Sequence, residues 1–214
     1  GMPLDSGNVE IFPAVRVSDA MGFPSASARG CFLSHLTILK KAFDLGLPNV
    51  LILEDDVEFS SVTQSALPYI FKQLKTQAWS FAYLGYSDFI DGSSYASRSN
   101  KNIQMIPSSE EIRCTHAYAV NRSIIQPLIQ HLEELLNGTP GDRQKGPMHV
   151  DGAFNIFREN NSEYNTLIAS PQIAWQRPSH SDIHGDSWLG KLPGARVLLQ
   201  PVRLLRIYWK RIIR

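Results

Sequence analysis

The chain has 214 residues, of which 43% are hydrophobic and 19% are charged, so its length and composition suffice for one sizeable α/β core. A net charge of +1 gives no reason to expect a nucleic-acid partner. The two cysteines, Cys31 and Cys114, provide neither a disulfide framework nor a cysteine-rich zinc site, and no apolar run of about 18 residues is present to span a bilayer. These features lead us to expect a cytoplasmic protein.

The first part of the chain predicts a strand, a loop and a helix. Val9–Val15 alternates well enough for a short strand at a sheet edge, where its proline is tolerated. From Cys31 onward apolar residues recur at helical spacing, and Gly46 can end this helix in a left-handed conformation. Ser34 and His35 lie in the first turns, where they could approach a phosphate or sugar of a nucleotide; a hydrogen-bonded structural histidine is the alternative.

Four aliphatic residues, Val50–Leu53, run directly into three consecutive acids, Glu54, Asp55 and Asp56. An unbroken apolar run of this kind predicts a central parallel strand that is buried on both faces. The acids would then lie at the carboxyl end of the strand, the edge where open α/β sheets bind ligands. Adjacent carboxylates repel one another, and their oxygens suit Mg²⁺ or Mn²⁺, which commonly bridges to nucleotide phosphates. The alternative is a solvated strand end.

The remainder of the chain alternates strands and helices, which favours a parallel sheet. The predicted helices are Gln64–Lys75, a helix from the N-cap candidate Asn121 to Leu136, and a short helix that His149–Asp151 opens. The predicted strands are Phe81–Leu84, His116–Val120 and Asn165–Ala169.

Two segments carry a family resemblance. The helix segment Gly30–Leu36, with the sequence Gly-Cys-Phe-Leu-Ser-His-Leu, is followed by the strand end Ile52–Val57, with the sequence Ile-Leu-Glu-Asp-Asp-Val. This pair, in this order and spacing, resembles glycosyltransferase family 25, which includes lipooligosaccharide and collagen galactosyltransferases. Weaker matches, among them His116–Asn121 and Asp151, follow in the order of the family, and the resemblance covers Val9–Ile183.

The resemblance implies an α/β protein of the A-type glycosyltransferase fold, with a mostly parallel sheet and helices on both faces. Residues 2–190 would form the glycosyltransferase domain, and its first βα unit is expected to be shorter than in the family, since only Pro3–Ser6 lie between Met2 and Gly7. The implied reaction moves a sugar, of galactose type, from a UDP-sugar donor to a glycan acceptor such as lipopolysaccharide, with inversion. A catalytically degenerate module of the same fold, which binds a nucleotide or a glycan, is the competing interpretation.

The resemblance also implies roles for individual residues. A nucleoside diphosphate leaves with developing negative charge, which Mn²⁺ or Mg²⁺ can stabilise if carboxylates hold the ion with open coordination positions. Asp56 is the first choice as metal ligand. Glu54 or Asp55 would contact the metal or the donor ribose, since consecutive strand residues point to opposite faces. Inversion requires a base near the acceptor hydroxyl, and Asp151 is the candidate, with a helix N-cap as its alternative.

The C-terminal segment, residues 191–214, is basic and amphipathic. From Ala195 to Arg214 it carries six Lys or Arg residues and no acid, among aliphatic residues, Tyr208 and Trp209. A helix with this pattern would suit an anionic membrane surface, such as the inner face of the cytoplasmic membrane. A helix packed on the domain and an oligomer contact are the alternatives.

Overall fold

The computed structural model describes residues 9–59, 61, 63–87, 103–106, 111–170 and 172–177. Its helices are α1 (Ala26–Asp44), α2 (Thr63–Thr76), α3 (Arg122–Leu136) and α4 (Val150–Asn160). Its strands are β1 (Asn49–Leu53), β2 (Val57–Phe59), β3 (Phe81–Ser87), β4 (Ile103–Ile106), β5 (Arg113–Asn121), β6 (Thr166–Ala169) and β7 (Ala174–Gln176). Three predictions concern residues outside the described part: the domain boundary at residue 190, the basic tail, and the shortened first βα unit before Val9.

Five strands form a mixed sheet in the order β1-β5-β3-β6-β4, and β2 pairs with β7 in a separate two-stranded sheet. In the larger sheet β3 and β6 are parallel, whereas β1 and β5, β3 and β5, and β4 and β6 are antiparallel. The prediction of a mostly parallel sheet is therefore wrong for the described strands. A parallel pair of strands needs a helical crossover, whereas an antiparallel pair does not. A helix between two strands in the sequence therefore does not establish that those strands run parallel.

Strand β1 lies at one end of this order and pairs with β5. Its residues alternate in exposure, with Ile52 buried and Leu51 and Leu53 exposed. The prediction of a central strand buried on both faces is thus wrong. An apolar run contains no polar residue to mark an exposed face, so it does not distinguish a doubly buried strand from one at the end of a sheet.

Helices cover both faces of the sheet, as the sequence predicts. Phe81 and Tyr118 pack with apolar residues of α1, α3 and α4 on one face. Successive strand residues point to opposite faces, so Leu84 and Leu167 pack on the other side, against Ile70 of α2. The sheet is thus covered on both faces around β3 and β6, whereas β1 is buried only on the face of Ile52.

The helix boundaries follow local signals. Helix α1 begins earlier than predicted, at Ala26, where the Ser25 hydroxyl accepts a hydrogen bond from the Ala28 backbone N–H. Helix α3 begins after Asn121 as predicted, and the Asn121 side chain accepts from the Ser123 N–H. None of the helices in the described part of the chain is both long and apolar enough to cross a membrane.

Residues 9–15 form no strand, so this prediction is wrong. The segment instead contacts α1, where the Val15 N–H donates to Ser34 Oγ at 2.8 Å. The Val15 carbonyl lies so close to Gly30 that a Cβ built there would stand 2.5 Å from the oxygen. The segment therefore packs against a helix instead of pairing in a sheet.

Candidate active site

The three acids lie in the turn that connects β1 to β2. The Glu54 N–H donates to the His116 carbonyl at 2.9 Å, which continues the pairing of β1 with β5 beyond Leu53. The Val57 N–H then donates to the Glu54 carbonyl at 3.2 Å and closes the turn. The turn gives the side chains different surroundings, because Glu54 and Asp56 are half-buried and Asp55 is exposed.

Glu54 turns toward α1. Its Oε1 accepts a hydrogen bond from the Thr115 hydroxyl at 2.7 Å and lies 3.3 Å from His35 Nε2. Burial raises the pKa of the Glu54 carboxyl, but His35 and Thr115 outweigh burial, so the pKa is lowered. Glu54 is therefore ionised and tied to both the helix and β5.

His35 is the buried partner of Glu54. Its Nδ1 lies 2.7 Å from the Tyr118 hydroxyl oxygen, and its Nε2 faces Glu54. Burial lowers the pKa of His35, but the neighbouring Cys31 and Glu54 outweigh burial and raise the pKa to about 9. Both ring nitrogens have partners inside the protein, which favours the structural alternative for His35 over direct contact with a nucleotide.

Ser34 is also engaged within the fold. Its hydroxyl donates to the Gly30 carbonyl at 2.8 Å and accepts from the Val15 N–H at 2.8 Å. The residue is 9% exposed, so little of it faces solvent. These contacts fasten the segment before α1 to the helix and favour a structural role.

Asp56 turns toward β7. Its Oδ2 accepts from Gln176 Nε2 at 2.9 Å, whereas its Oδ1 is buried without a hydrogen-bond partner among the described residues. Burial and the charges of Glu54 and Asp55 raise the pKa of Asp56, and the hydrogen bond from Gln176 lowers it. The raising effects are larger, so the pKa lies above its usual value. A carboxylate oxygen in this position is under-compensated, so a cation held by Asp56 and the adjacent Asp55 fits the site.

Asp151 reaches the same site through an irregularity in β5. The pairing of β3 with β5 shifts between Gly85 and Ser87, where β5 carries two more residues than β3. In this bulge Cys114 has a φ of 70°, which is uncommon for a residue with a Cβ. Its N–H donates to Asp151 Oδ2 at 3.2 Å, so the bulge and the start of α4 hold each other in place.

Carboxylates of the turn and of α4 both act on the pKa of the Cys114 thiol. Burial raises the pKa of Cys114, and the charges of Asp151, Glu54 and Asp56 raise it further. Direct contacts support this arrangement, because Cys114 Sγ lies 3.8 Å from Gln176 Oε1 and Gln176 bonds to Asp56, while the Cys114 N–H bonds to Asp151. Asp151 is the second residue of α4 and His149 is the N-cap, so the N-cap alternative for Asp151 is wrong.

His116 is a site residue that the sequence did not single out. It is buried, its Nε2 lies 3.5 Å from the Ala174 carbonyl, and its Nδ1 is buried without a hydrogen-bond partner in the described residues. Burial lowers the pKa of His116, despite the Ala174 carbonyl and the nearby acids, so the ring is neutral at pH 7. Gly85 contacts this ring so closely that a Cβ would collide with it. Gly85 directly follows the predicted strand Phe81–Leu84, and a glycine at such a position is the signal that could have indicated this close approach.

Comparison with known proteins supplies the family. The profile described as glycosyltransferase family 25 (LPS biosynthesis protein) matches residues 24–144, which is more than half of the 214 residues. The chain belongs to glycosyltransferase family 25. The matched span contains α1, the turn of Glu54, Asp55 and Asp56 (the acid turn) and the irregularity of β5 at Cys114 (the β5 bulge), whereas Asp151 and Gln176 follow it.

Individual family members match shorter segments. The chain is 38% identical over 58 residues to a human protein named inactive glycosyltransferase 25 family member 3, and 31% identical over 84 residues to mouse procollagen galactosyltransferase 2. These segments cover 26% and 38% of this chain and 10% and 13% of the two relatives. The matched parts thus span only a small fraction of these relatives, one of which is named for a transfer activity and the other as inactive.

Proposed function

We propose that this chain is a metal-dependent glycosyltransferase that moves a galactose-type sugar from a UDP-sugar donor to a glycan hydroxyl, with inversion. The buried Asp56 Oδ1, which has no hydrogen-bond partner among the described residues, carries the proposal. A bare carboxylate oxygen beside two further acids favours a bound cation. Membership of family 25 favours the transfer reaction.

The acid turn would hold the cation and the donor phosphates. Asp56 is the first ligand and Asp55 the second, because Asp55 is adjacent and its exposed carboxylate is free to rotate. Mn²⁺ or Mg²⁺ bound there would offset the negative charge that develops on the departing nucleoside diphosphate. Gln176 orients the Asp56 carboxylate through Oδ2, and Glu54 supports the turn through His35.

Asp151 is the proposed base. Its carboxylate oxygens accept from the Cys114 N–H at 3.2 Å and the Gly152 N–H at 2.9 Å, which fixes the orientation of the group. Each oxygen has a further lone pair, so the carboxylate can take the proton of an acceptor hydroxyl as the sugar is transferred. The half-buried position at the start of α4 leaves it open to a ligand.

The substrate classes rest on the names of relatives. The description of the family as an LPS biosynthesis protein supports a lipopolysaccharide-type glycan as the acceptor. The name procollagen galactosyltransferase 2 supports galactose as the transferred sugar.

The second candidate function is a degenerate module that binds a nucleotide or a glycan without transfer. The human relative named inactive glycosyltransferase 25 family member 3 favours this candidate. The two functions differ in turnover rather than in nucleotide binding, so binding and transfer have to be measured separately.

Calorimetric titration with UDP, with and without MnCl₂, tests the metal site. We expect Mn²⁺ to tighten UDP binding by about 10-fold or more, and Asp56→Asn to abolish this gain, because the ion loses its first ligand. Asp44→Asn is the matched control, since Asp44 is an exposed acid at the end of α1 and the substitution changes the net charge equally. Equal Mn²⁺-dependent binding by the wild type and Asp56→Asn would remove the metal assignment.

A transfer assay with UDP-galactose and a lipopolysaccharide acceptor tests the base. We expect Asp151→Asn to lower turnover by about 100-fold, the scale of a positioned base, while UDP affinity stays unchanged. Unchanged turnover would leave Asp151 as a support for the β5 bulge alone. Mn²⁺-dependent UDP binding without turnover in the wild type, across nucleotide sugars and glycan acceptors, would identify the degenerate module.

A further inference from the structure

A second cluster of possible metal ligands lies between α1 and the acid turn. Cys31, His35 and Glu54 place a thiol, an imidazole and a carboxylate within 4.8 Å of one another. We propose that these three side chains bind a divalent cation of the Zn²⁺ class, at a site distinct from the one at Asp56. The two sites differ in chemistry because a thiolate and an imidazole suit Zn²⁺, whereas carboxylates alone suit Mg²⁺ or Mn²⁺.

The fold brings the three ligands together from two elements. Cys31 and His35 are four residues apart in α1, so their side chains are neighbours on one face of the helix. Glu54 approaches from the end of β1, with Oε1 3.3 Å from His35 Nε2. Zn²⁺ with bonds of about 2.0–2.3 Å in tetrahedral geometry holds its ligand atoms about 3.3–3.7 Å apart. His35 Nε2 and Glu54 Oε1 already have this separation. The Cys31 thiol lies within 4.8 Å of both atoms and has to move closer to them by on the order of 1 Å.

Contacts around the cluster orient two of its ligands. Tyr118 occupies His35 Nδ1 at 2.7 Å, which leaves Nε2 for an ion beside Glu54. Thr115 donates to the Glu54 carboxylate at 2.7 Å and limits its rotation. Outer contacts of this kind set the orientation of histidine and carboxylate ligands in metal sites. The cluster therefore has oriented ligands in addition to a suitable set of donor atoms.

An ion can reach this cluster without opening the core. Cys31 is half-buried and the Glu54 side chain is 24% exposed, so the cluster borders solvent and a water can complete a four-coordinate site. Binding would release the thiol proton of Cys31 and the Nε2 proton of His35 to solvent. The bound ion would join α1 to the turn that carries Asp56, and would thereby fix the position of the acids.

Cobalt substitution tests the proposal without any need for activity. We expect one Co²⁺ per reduced, intact chain to bind at this cluster with a sulfur-to-cobalt absorption band in the near ultraviolet, which Zn²⁺ removes by displacement. Cys31→Ser should lose the band. Cys114→Ser, the matched control at the other of the two cysteines, should keep it, and so should Asp56→Asn. Tyr118→Phe should keep the band but weaken Co²⁺ affinity by about 10-fold, because His35 loses its orienting partner.

A second readout needs no variant and covers the case in which Cys31→Ser does not fold. Zn²⁺ should slow alkylation of Cys31 several-fold in the wild type and leave Cys114 unchanged, as followed by mass spectrometry of the two peptides. Absence of the absorption band in the wild type, its persistence in folded Cys31→Ser, or equal alkylation of Cys31 with and without Zn²⁺ would overturn the proposal. Neither readout involves UDP or transfer, so the result is independent of the function proposed above.

Discussion

Adjacent acids in the turn after β1 differ in role because they differ in partners. Glu54 contacts His35 and Thr115, whereas Asp56 has one buried oxygen without a partner in the described residues. A compensated charge supports the fold, while an under-compensated one disfavours the folded state until a cation binds. The two roles therefore predict opposite effects on stability.

We expect Glu54→Gln to lower the free energy of unfolding by about 2 kcal/mol, because buried His35 loses a charged hydrogen-bond partner. Asp56→Asn should leave that free energy unchanged or raise it, since burial and two neighbouring acids oppose the Asp56 charge. Urea unfolding followed by circular dichroism, in buffer free of divalent metals, measures both. If Asp56→Asn is the more destabilising variant, the two roles are reversed.

Substitution of Gly85 tests how closely this residue packs against His116 and Ala174 beneath the candidate site. We expect Gly85→Ala to lower the free energy of unfolding by about 1–3 kcal/mol, because its Cβ would meet the His116 ring and the Ala174 carbonyl. Gly152→Ala in α4 is the matched control, since its Cβ would stand 3.6 Å from Met148 Sδ and alanine favours a helix. Thermal unfolding compares the pair. Equal stability of the two variants would show that the β5 bulge can relax.

The sequence predicts the acids of the site but not their partners. Three consecutive acids after an apolar run form a local pattern, and Asp151 follows from the family resemblance. Cys114 and His116 contribute to the candidate site because the register shifts between β3 and β5. Gln176 contributes to it because β7 pairs with β2. Register and long-range pairing depend on contacts between distant residues, so local spacing does not predict them.

Helices are predicted more accurately than strand arrangement. The apolar residues of α2 and α3 recur at a helical period, which is a local property, and the observed bounds lie close to the predicted ones. Strand β1 is found where predicted along the chain, yet β5 lies beside it in antiparallel orientation. The position of a strand within a sheet depends on its partners, and an aliphatic run alone does not specify them.

The contact between α3 and α4 predicts a pH dependence of stability. His131 Nε2 donates to the Ala153 carbonyl at 2.9 Å, and burial lowers the pKa of His131 despite this bond and the charge of Glu134. Below about pH 6.5 the unfolded chain takes up this proton before the folded one does, so this contribution to stability is lost as pH falls. His131→Gln should reduce the loss, because its amide can donate to the same carbonyl without titrating.

Thermal midpoints of the wild type and His131→Gln between pH 7 and pH 5 measure this difference. The comparison cancels contributions from other titrating groups, including His35, whose raised pKa adds stability that is full below about pH 6.5 and lost as pH rises through about 9. Parallel curves for the two proteins would contradict the assignment to His131.

At the level of the whole molecule, the site combines two parts of the chain. The family match spans residues 24–144 and contains the acid turn and the β5 bulge. Asp151 and Gln176 follow that span, yet they bond to Cys114 and Asp56 within it. Strand β6 also follows the span and pairs with β3 in the sheet. The folded unit therefore extends beyond the matched span, at least to residue 177.

The basic tail, residues 191–214, lies outside the described residues, so its role stays a prediction from sequence. We expect the intact chain to sediment with phosphatidylglycerol-containing vesicles at low salt and to leave them as ionic strength rises. Each Lys or Arg near an anionic bilayer contributes about 1 kcal/mol, and this attraction is screened by salt. A chain that ends at Leu192 should remain in the supernatant and keep the Mn²⁺-dependent UDP binding proposed above.

Charge and hydrophobicity in the tail can be separated. Replacing Arg203, Arg206 and Lys210 by Gln keeps Tyr208 and Trp209 but removes three of the six positive charges between Ala195 and Arg214, so it should weaken sedimentation with anionic vesicles. Phosphatidylcholine vesicles should capture little of either protein, because the apolar residues alone give modest partitioning. If the intact chain ignores anionic vesicles at low salt, or if truncation after Leu192 unfolds the domain, the tail is a structural segment and the membrane-surface prediction is wrong.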